Sequence, residues 1–157
     1  MAICNPADFR LLAGGGRRLL GLDLGTKTIG LALSDTRFAI ASPLATLRRA
    51  RFRDDVTRLA ALIGRHGVAG LVIGLPVALD GSEGPRCQSV RQFARNLLEI
   101  AEISVAFWDE RMSTMAVNRM LVDELDMTRA RRAEVVDRAA AAYILQGALD
   151  RLSRLQP

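Results

Sequence analysis

The segment that most constrains the fold is Leu19 to Leu24, a near-continuous apolar run, followed by Gly25-Thr26-Lys27 and then by Thr28 to Ser34, where Ile29, Leu31 and Leu33 alternate with small residues. An apolar run and an alternating segment on either side of a short turn predict two paired strands. A third short strand is expected at Phe38 to Ala41, ended by Pro43, because three strands at this spacing make an antiparallel meander. Val56, Leu59, Ala60 and Ile63 then recur at three- and four-residue steps, which predicts an amphipathic helix from Arg53 to Arg65 that stops at Gly67. Leu71 to Gly74 reads as a short β-branched strand, and the turn-rich stretch Leu75 to Ser82 leads to a helix through Ala101 with Ser82 as its N-cap. Ile103 to Trp108 reads as a buried strand, Thr114 to Leu125 as a helix, and Ala133 to Leu155 as a last, Ala-rich helix. The order βββαβαβαα specifies an α/β protein with a mixed five-stranded sheet, three antiparallel strands and then two parallel ones, flanked by helices on both faces.

With 157 residues, half of them hydrophobic, one domain can bury a core without disulfides or structural metal. Residues 1–17 read as a mostly flexible N-terminal extension, with an apolar patch around Phe9, Leu11 and Leu12 that touches the body, and residues 18–157 as the folded domain. The first eighteen residues hold no apolar run long enough for a secretory core or a membrane helix, which points to the cytoplasm. Cys4 and Cys87 have no CxxC partner, so neither a zinc knuckle nor a redox pair is expected. Lys plus Arg total 22 against 17 Asp plus Glu, a net +5 that suits a phosphate-bearing partner and equally suits plain solubility.

Open sheets of this kind place their chemistry beyond the carboxyl ends of strands, so acids at those ends matter most. Asp23 ends the first strand and shares a face with Leu19 and Gly21; an ionised acid in an otherwise apolar strand is costly unless paired or bound to a cation, although an Asp before Gly25 also suits a turn. Asp109 and Glu110 end the strand that holds Val105, Phe107 and Trp108, and alternation sends them to opposite faces. Only one can join Asp23, and the spacing leaves open which. Asp137 shares a helical stripe with Ala141, Ile144, Leu145, Ala148 and Leu152, the face that packs on the sheet, and so points inward near the helix start. A role as an N-terminal cap or dipole partner explains its position along the helix but not its facing. Carboxylates gathered at one end of a sheet repel one another, and a divalent cation with oxygen ligands, Mg2+ or Mn2+, is the ordinary means of holding them. Such an ion supports phosphodiester hydrolysis without a Cys or His nucleophile, and His66, the only histidine, reads as a surface or capping residue.

Four motifs in this order resemble the YqgF-type pre-16S ribosomal RNA nucleases, relatives of the RuvC-type Holliday-junction resolvases. They are Asp23-Leu24-Gly25-Thr26-Lys27-Thr28-Ile29-Gly30, Gly74-Leu75-Pro76 with Asp80-Gly81-Ser82-Glu83-Gly84-Pro85, Asp109-Glu110-Arg111-Met112-Ser113-Thr114, and Val136-Asp137 in an Ala-rich helix. The resemblance covers about residues 18 to 150. It implies a ribonuclease H-like fold, maturation of the 5′ end of the 16S rRNA precursor, and metal ligands and catalytic residues at Asp23, Glu110 and Asp137, which favours Glu110 over Asp109. The family usually carries lysine before the last acid; here the segment reads Arg129-Ala130-Arg131-Arg132, and the positive charge is kept.

Lys27, the single lysine, together with Arg111 and the Arg129, Arg131 and Arg132 cluster, are the candidates for contacting nucleic-acid phosphates; a solvated charge run is the plain alternative. A sugar-kinase or actin-like reading of Asp23-Leu24-Gly25-Thr26 needs a second domain, for which 157 residues leave no room. A resolvase of four-way DNA junctions, or a non-catalytic nucleic-acid-binding factor in transcription or ribosome assembly, would use the same residues. Aromatics are only 4% of the chain, so phosphate and shape contacts should outweigh base stacking.

Overall fold

The computed structural model describes residues 3–4, 8–9, 15–78, 80–109 and 129–154. The helix expected at Thr114 to Leu125 lies outside the described residues, as do Glu110 and Arg111. The elements are β1 (Ile3–Cys4), β2 (Arg18–Leu24), β3 (Thr28–Ser34), β4 (Ala41–Arg48), α1 (Phe52–His66), β5 (Val68–Leu75), α2 (Pro85–Leu98), β6 (Ser104–Asp109) and α3 (Arg129–Arg154). They form one mixed sheet in the order β1-β6-β5-β2-β3-β4. The β2–β3–β4 meander is antiparallel, and β5 and β6 add in parallel beside β2. This is the expected five-stranded arrangement with one addition. Within the segment read as an extension, Ile3–Cys4 pairs in parallel with β6, and Phe9 is only 1% exposed.

The third strand departs from expectation. It starts at Ala41 and runs to Arg48, because residues 35–40 form a tight turn: one Asp35 carboxylate oxygen accepts the Ala39 and Ile40 N–H groups, and Phe38 sits at φ 58 with its ring buried. Pro43 does not end the strand. β4 lies at the sheet edge, and the register slips between Leu31 and Ala32 as Pro43 comes opposite Ala32, a place where a missing N–H is tolerated. Helix α1 stops where expected, at Gly67, whose φ of 62 lets its N–H reach the Ile63 carbonyl. Helix α2 is shorter than expected. Ser82 is engaged with the Asp80 carboxylate instead of capping, and the helix starts with Gly84 as N-cap and Pro85 in its first turn.

Two cores follow from strand alternation. Leu20, Leu22, Leu24, Ile29, Leu31, Leu71, Ile73 and Val105 face α1 and α2. Leu19, Ala32, Val72 and Ala106 face α3, whose Ala141, Ile144, Leu145, Ala148 and Leu152 are all buried. Asp137 belongs to that same stripe of α3.

Candidate nuclease site

Asp23 stands near the carboxyl end of β2, opposite Gly30 of β3 in the antiparallel ladder. Its face is the α3 face, which Leu19 and Gly21 share by alternation. Helix α3 comes closest to the sheet there. A Cβ at Gly30 would overlap the main-chain carbonyl of Asp137, and one at Gly21 would lie 2.8 Å from the Leu145 Cβ and 2.9 Å from the Ala141 carbonyl oxygen. Small residues on β2 and β3 thus let the helix backbone lie against the sheet, and Gly30 sets the height at which Asp137 meets Asp23. The Thr28 hydroxyl, at the start of β3, donates to an Asp137 carboxylate oxygen at 2.5 Å.

Helix α3 begins at Arg129, earlier than the sequence suggested, so Asp137 lies about two turns inside it. No acid stands in its first turn. The helix dipole and the orphan N–H groups act within that first turn, so the capping alternative for Asp137 does not apply. What remains is its inward facing, toward Asp23.

Electrostatics place the two acids in one space. The Asp23 carboxyl is pushed up to about 6, first by burial and then by the Asp137 charge, against a smaller opposing effect from Arg86. A carboxylate with too little solvent and a like-charged neighbour is short of positive charge. Among the described residues no third Asp, Glu, His or Cys completes a cluster that could hold an ion. Glu110 lies beyond the last described residue of β6.

The other expected site residues are only partly gathered here. Lys27 is exposed in the β2–β3 turn at the same end of the sheet, and its carbonyl accepts the Arg49 N–H at 2.8 Å. Arg129, Arg131 and Arg132 fall in the opening turns of α3, ahead of Asp137. Four residues escaped the sequence reading as actors in their own right: Thr28, Gly30, Arg49 and Arg86. Thr28 and Gly30 stand inside the first motif, yet only the packing of α3 gives them a role. Arg49 belongs to the run Arg48-Arg49-Ala50-Arg51-Phe52-Arg53, whose charge density was the available signal.

A parallel-plus-meander sheet with two acids converging at the end of its first long strand defines a protein of the ribonuclease H-like class. The yeast mitochondrial Holliday junction resolvase Ydc2 has the same fold, with a TM-score of 0.53 at 12% identity, covering 91% of this chain and 83% of that one. So does the large terminase nuclease of the thermophilic phage G20c, with a TM-score of 0.51 at 13% identity, covering 84% of this chain and 81% of that one. A family model described as "RuvX: Holliday junction resolvase" matches residues 17–151. The chain belongs to this family, and its activity is that of a nuclease, hydrolysis of phosphodiester bonds. A relative from Rhodospirillum rubrum named "Putative pre-16S rRNA nuclease" is 61% identical over 157 residues, covering 100% of this chain and 98% of its own. Another of that name from Phenylobacterium zucineum is 59% identical over 156 residues, covering 99% of this chain and 100% of its own.

Proposed function

We propose that the chain is a divalent-metal-dependent nuclease that processes the 5′ end of the 16S rRNA precursor in the cytoplasm, with Asp23, Glu110 and Asp137 as its ligand carboxylates. The observation that carries this reading is the approach of α3 to Gly30, which sets Asp137 beside a half-buried Asp23 whose carboxyl is held at about 6. An all-oxygen donor set fits a hard cation such as Mg2+ or Mn2+, and the shortfall of positive charge at Asp23 is what such an ion would relieve. Ala106 and Trp108 lie on the α3 face of β6, whereas Val105 and Phe107 belong to the opposite core, so the two-residue period supports Glu110 over Asp109 as the third acid.

When bound, the ion supplies activation of a water and stabilisation of the leaving oxygen. The chain's own residues prepare the site. Thr28 fixes one Asp137 oxygen and so orients that carboxylate. Asp23 acts as an ionised ligand, a state that pH above about 6 or the cation itself provides. Lys27, Arg111, Arg129, Arg131 and Arg132 neutralise phosphates of the bound strand on either side, at positions a basic chain of this composition can spare.

The name shared by the close relatives favours the rRNA precursor, while the family description favours cleavage of a four-way DNA junction. Incubating the purified protein with a 5′-extended 16S precursor and with a DNA junction, each with and without Mg2+, separates the two. Metal-dependent cutting of the precursor at its mature 5′ end supports the proposal. Cutting of the junction alone replaces it with the resolvase reading, and binding of either without cutting points to a non-catalytic factor.

A further inference from the structure

At the same end of β2 as Asp23 lies a cleft that the proposed metal site leaves unused. It is lined by Leu24, Gly25, Thr26 and Phe93 together with two arginines from separate elements, Arg49 and Arg86. Arg49 follows β4 and is tied back to the β2–β3 turn twice: its backbone N–H donates to the Lys27 carbonyl at 2.8 Å, and its Nη1 donates to the Gly25 carbonyl at 2.7 Å. Its guanidinium carbon also lies 5.8 Å from the centre of the Phe93 ring. The group is therefore fixed in place. Its tie to Gly25 uses one N–H of a fork that carries five.

The segment that bears Arg49 is itself anchored from α1. Buried Asp55 accepts the Ala50 N–H at 3.0 Å and pairs with Arg58, which also donates to the Arg48 carbonyl at 2.7 Å. Arg86, in the first turn of α2, is exposed and makes no hydrogen bond or ion pair among the described residues. In this it differs from Arg58 and Arg91, which pair with Asp55 and Glu83. Among the described residues no carboxylate lines the cleft, yet the charge of Arg86 reaches Asp23. Two guanidiniums that share one cleft repel, and the chemistry that matches them is an anion with oxygens for both forks.

We propose that Arg49 and Arg86 form a subsite for a non-scissile backbone phosphate of the bound nucleic acid, immediately beside the carboxylates that act on the scissile one. The subsite rests on the nuclease reading, since it presumes that a polynucleotide lies across the end of β2. It would hold the strand through its phosphate, whatever the base and whichever the sugar.

The test is binding of a short labelled RNA and of the DNA strand of the same sequence, in EDTA, to the parent and to Arg86→Ala, Arg86→Lys and Arg49→Lys, with thermal melts confirming that each variant is folded. Arg86→Ala should weaken binding about tenfold, as expected for a charged hydrogen bond, and Arg86→Lys should weaken it less. The salt dependence of affinity should become shallower by roughly 0.7 in log–log slope, the value for one single-strand phosphate that the protein no longer neutralises. A series of strands, each with one phosphate replaced by a neutral methylphosphonate, then closes a chemical double-mutant cycle. One position should weaken the parent and have no further effect on Arg86→Ala, on RNA and DNA alike. Unchanged slopes, additive losses at every position, or coupling on RNA alone would overturn the subsite. If the cycle shows coupling while the parent cuts nothing in Mg2+, the subsite stands and the nuclease reading fails; cutting without coupling is the reverse.

Discussion

Replacing Asp23 by Asn should stabilise the metal-free protein, and by an amount that depends on pH in one direction. The Asp23 carboxyl sits at about 6 in the folded chain against an ordinary 3.8, mainly through burial and secondarily because Asp137 stands beside it. A raised value means that the folded state holds the proton more tightly than the unfolded one. The stabilisation this confers is complete below about pH 3.8 and is lost as pH rises through about 6, so above pH 7 ionised Asp23 is a liability. The difference corresponds to about 3 kcal/mol, an upper figure because the side chain is partly solvated. For a domain of this size that is roughly 6–12 °C in Tm. Asn keeps the shape and loses the charge. Melts of the parent and Asp23→Asn in EDTA from pH 4 to 8.5 should therefore converge toward pH 4, diverge as pH rises to about 6, with the variant higher, and keep a constant gap beyond that. Millimolar Mg2+ should then raise the parent more than the variant, because an ion that binds only the folded site stabilises it by mass action. A variant less stable than the parent at pH 8 in EDTA, or a gap that does not change with pH, would mean that the Asp23 charge is not a burden on the folded chain.

Gly30→Ala places a Cβ on the Asp137 carbonyl, so α3 must lift from β3; a loss of about 1–3 kcal/mol in urea unfolding and of roughly a hundredfold or more in cleavage rate is expected, and a fully active variant would remove Gly30 as the spacer. Thr28→Val deletes the donor to Asp137 and should raise the Mg2+ concentration needed for half-maximal cleavage while costing about 1–2 kcal/mol of stability; an unaltered metal requirement means that Thr28 does not orient the carboxylate. Joint replacement of Arg129, Arg131 and Arg132 by Ala should flatten the salt dependence of nucleic-acid affinity by roughly one unit of slope for each phosphate they neutralise, and an unchanged slope returns them to a solvated helix end.

Much of this architecture is written locally. The apolar runs that become β2 and β3, the helical stripe through Asp137, and Gly67 as a stop each depend on neighbours in sequence, and the structure has them where periodicity puts them. The misses are non-local or depend on one side chain choosing among partners. Nothing in Phe38 to Ala41 announces that Asp35 will fold the chain into a turn, which moves the third strand to Ala41–Arg48. Pro43 reads as a stop until its strand is known to lie at an edge beside a register slip. Ser82 suits a cap by residue type, but Asp80 claims it instead. At the site, the facing of Asp23 and Asp137 is legible from period alone, but the means of bringing them together is not. Gly30 meets Asp137 across more than a hundred residues of sequence, as Thr28 does, and no local pattern encodes such a contact. The Arg49 and Arg86 cleft joins the end of β4 to the start of α2 in the same way.

If the acids at the end of β2 and on α3 act through a divalent cation, as proposed, single-turnover cleavage of a 5′-extended 16S precursor will depend on both. With the parent, Asp23→Asn and Asp137→Asn in Mg2+ and in EDTA, and with binding of the same RNA measured alongside, the parent should cut only in Mg2+, while both variants bind within several-fold of it and do not cut. Cleavage by Asp137→Asn at the parent's rate would remove Asp137 from the site, and cleavage by the parent in EDTA would rule out the cation.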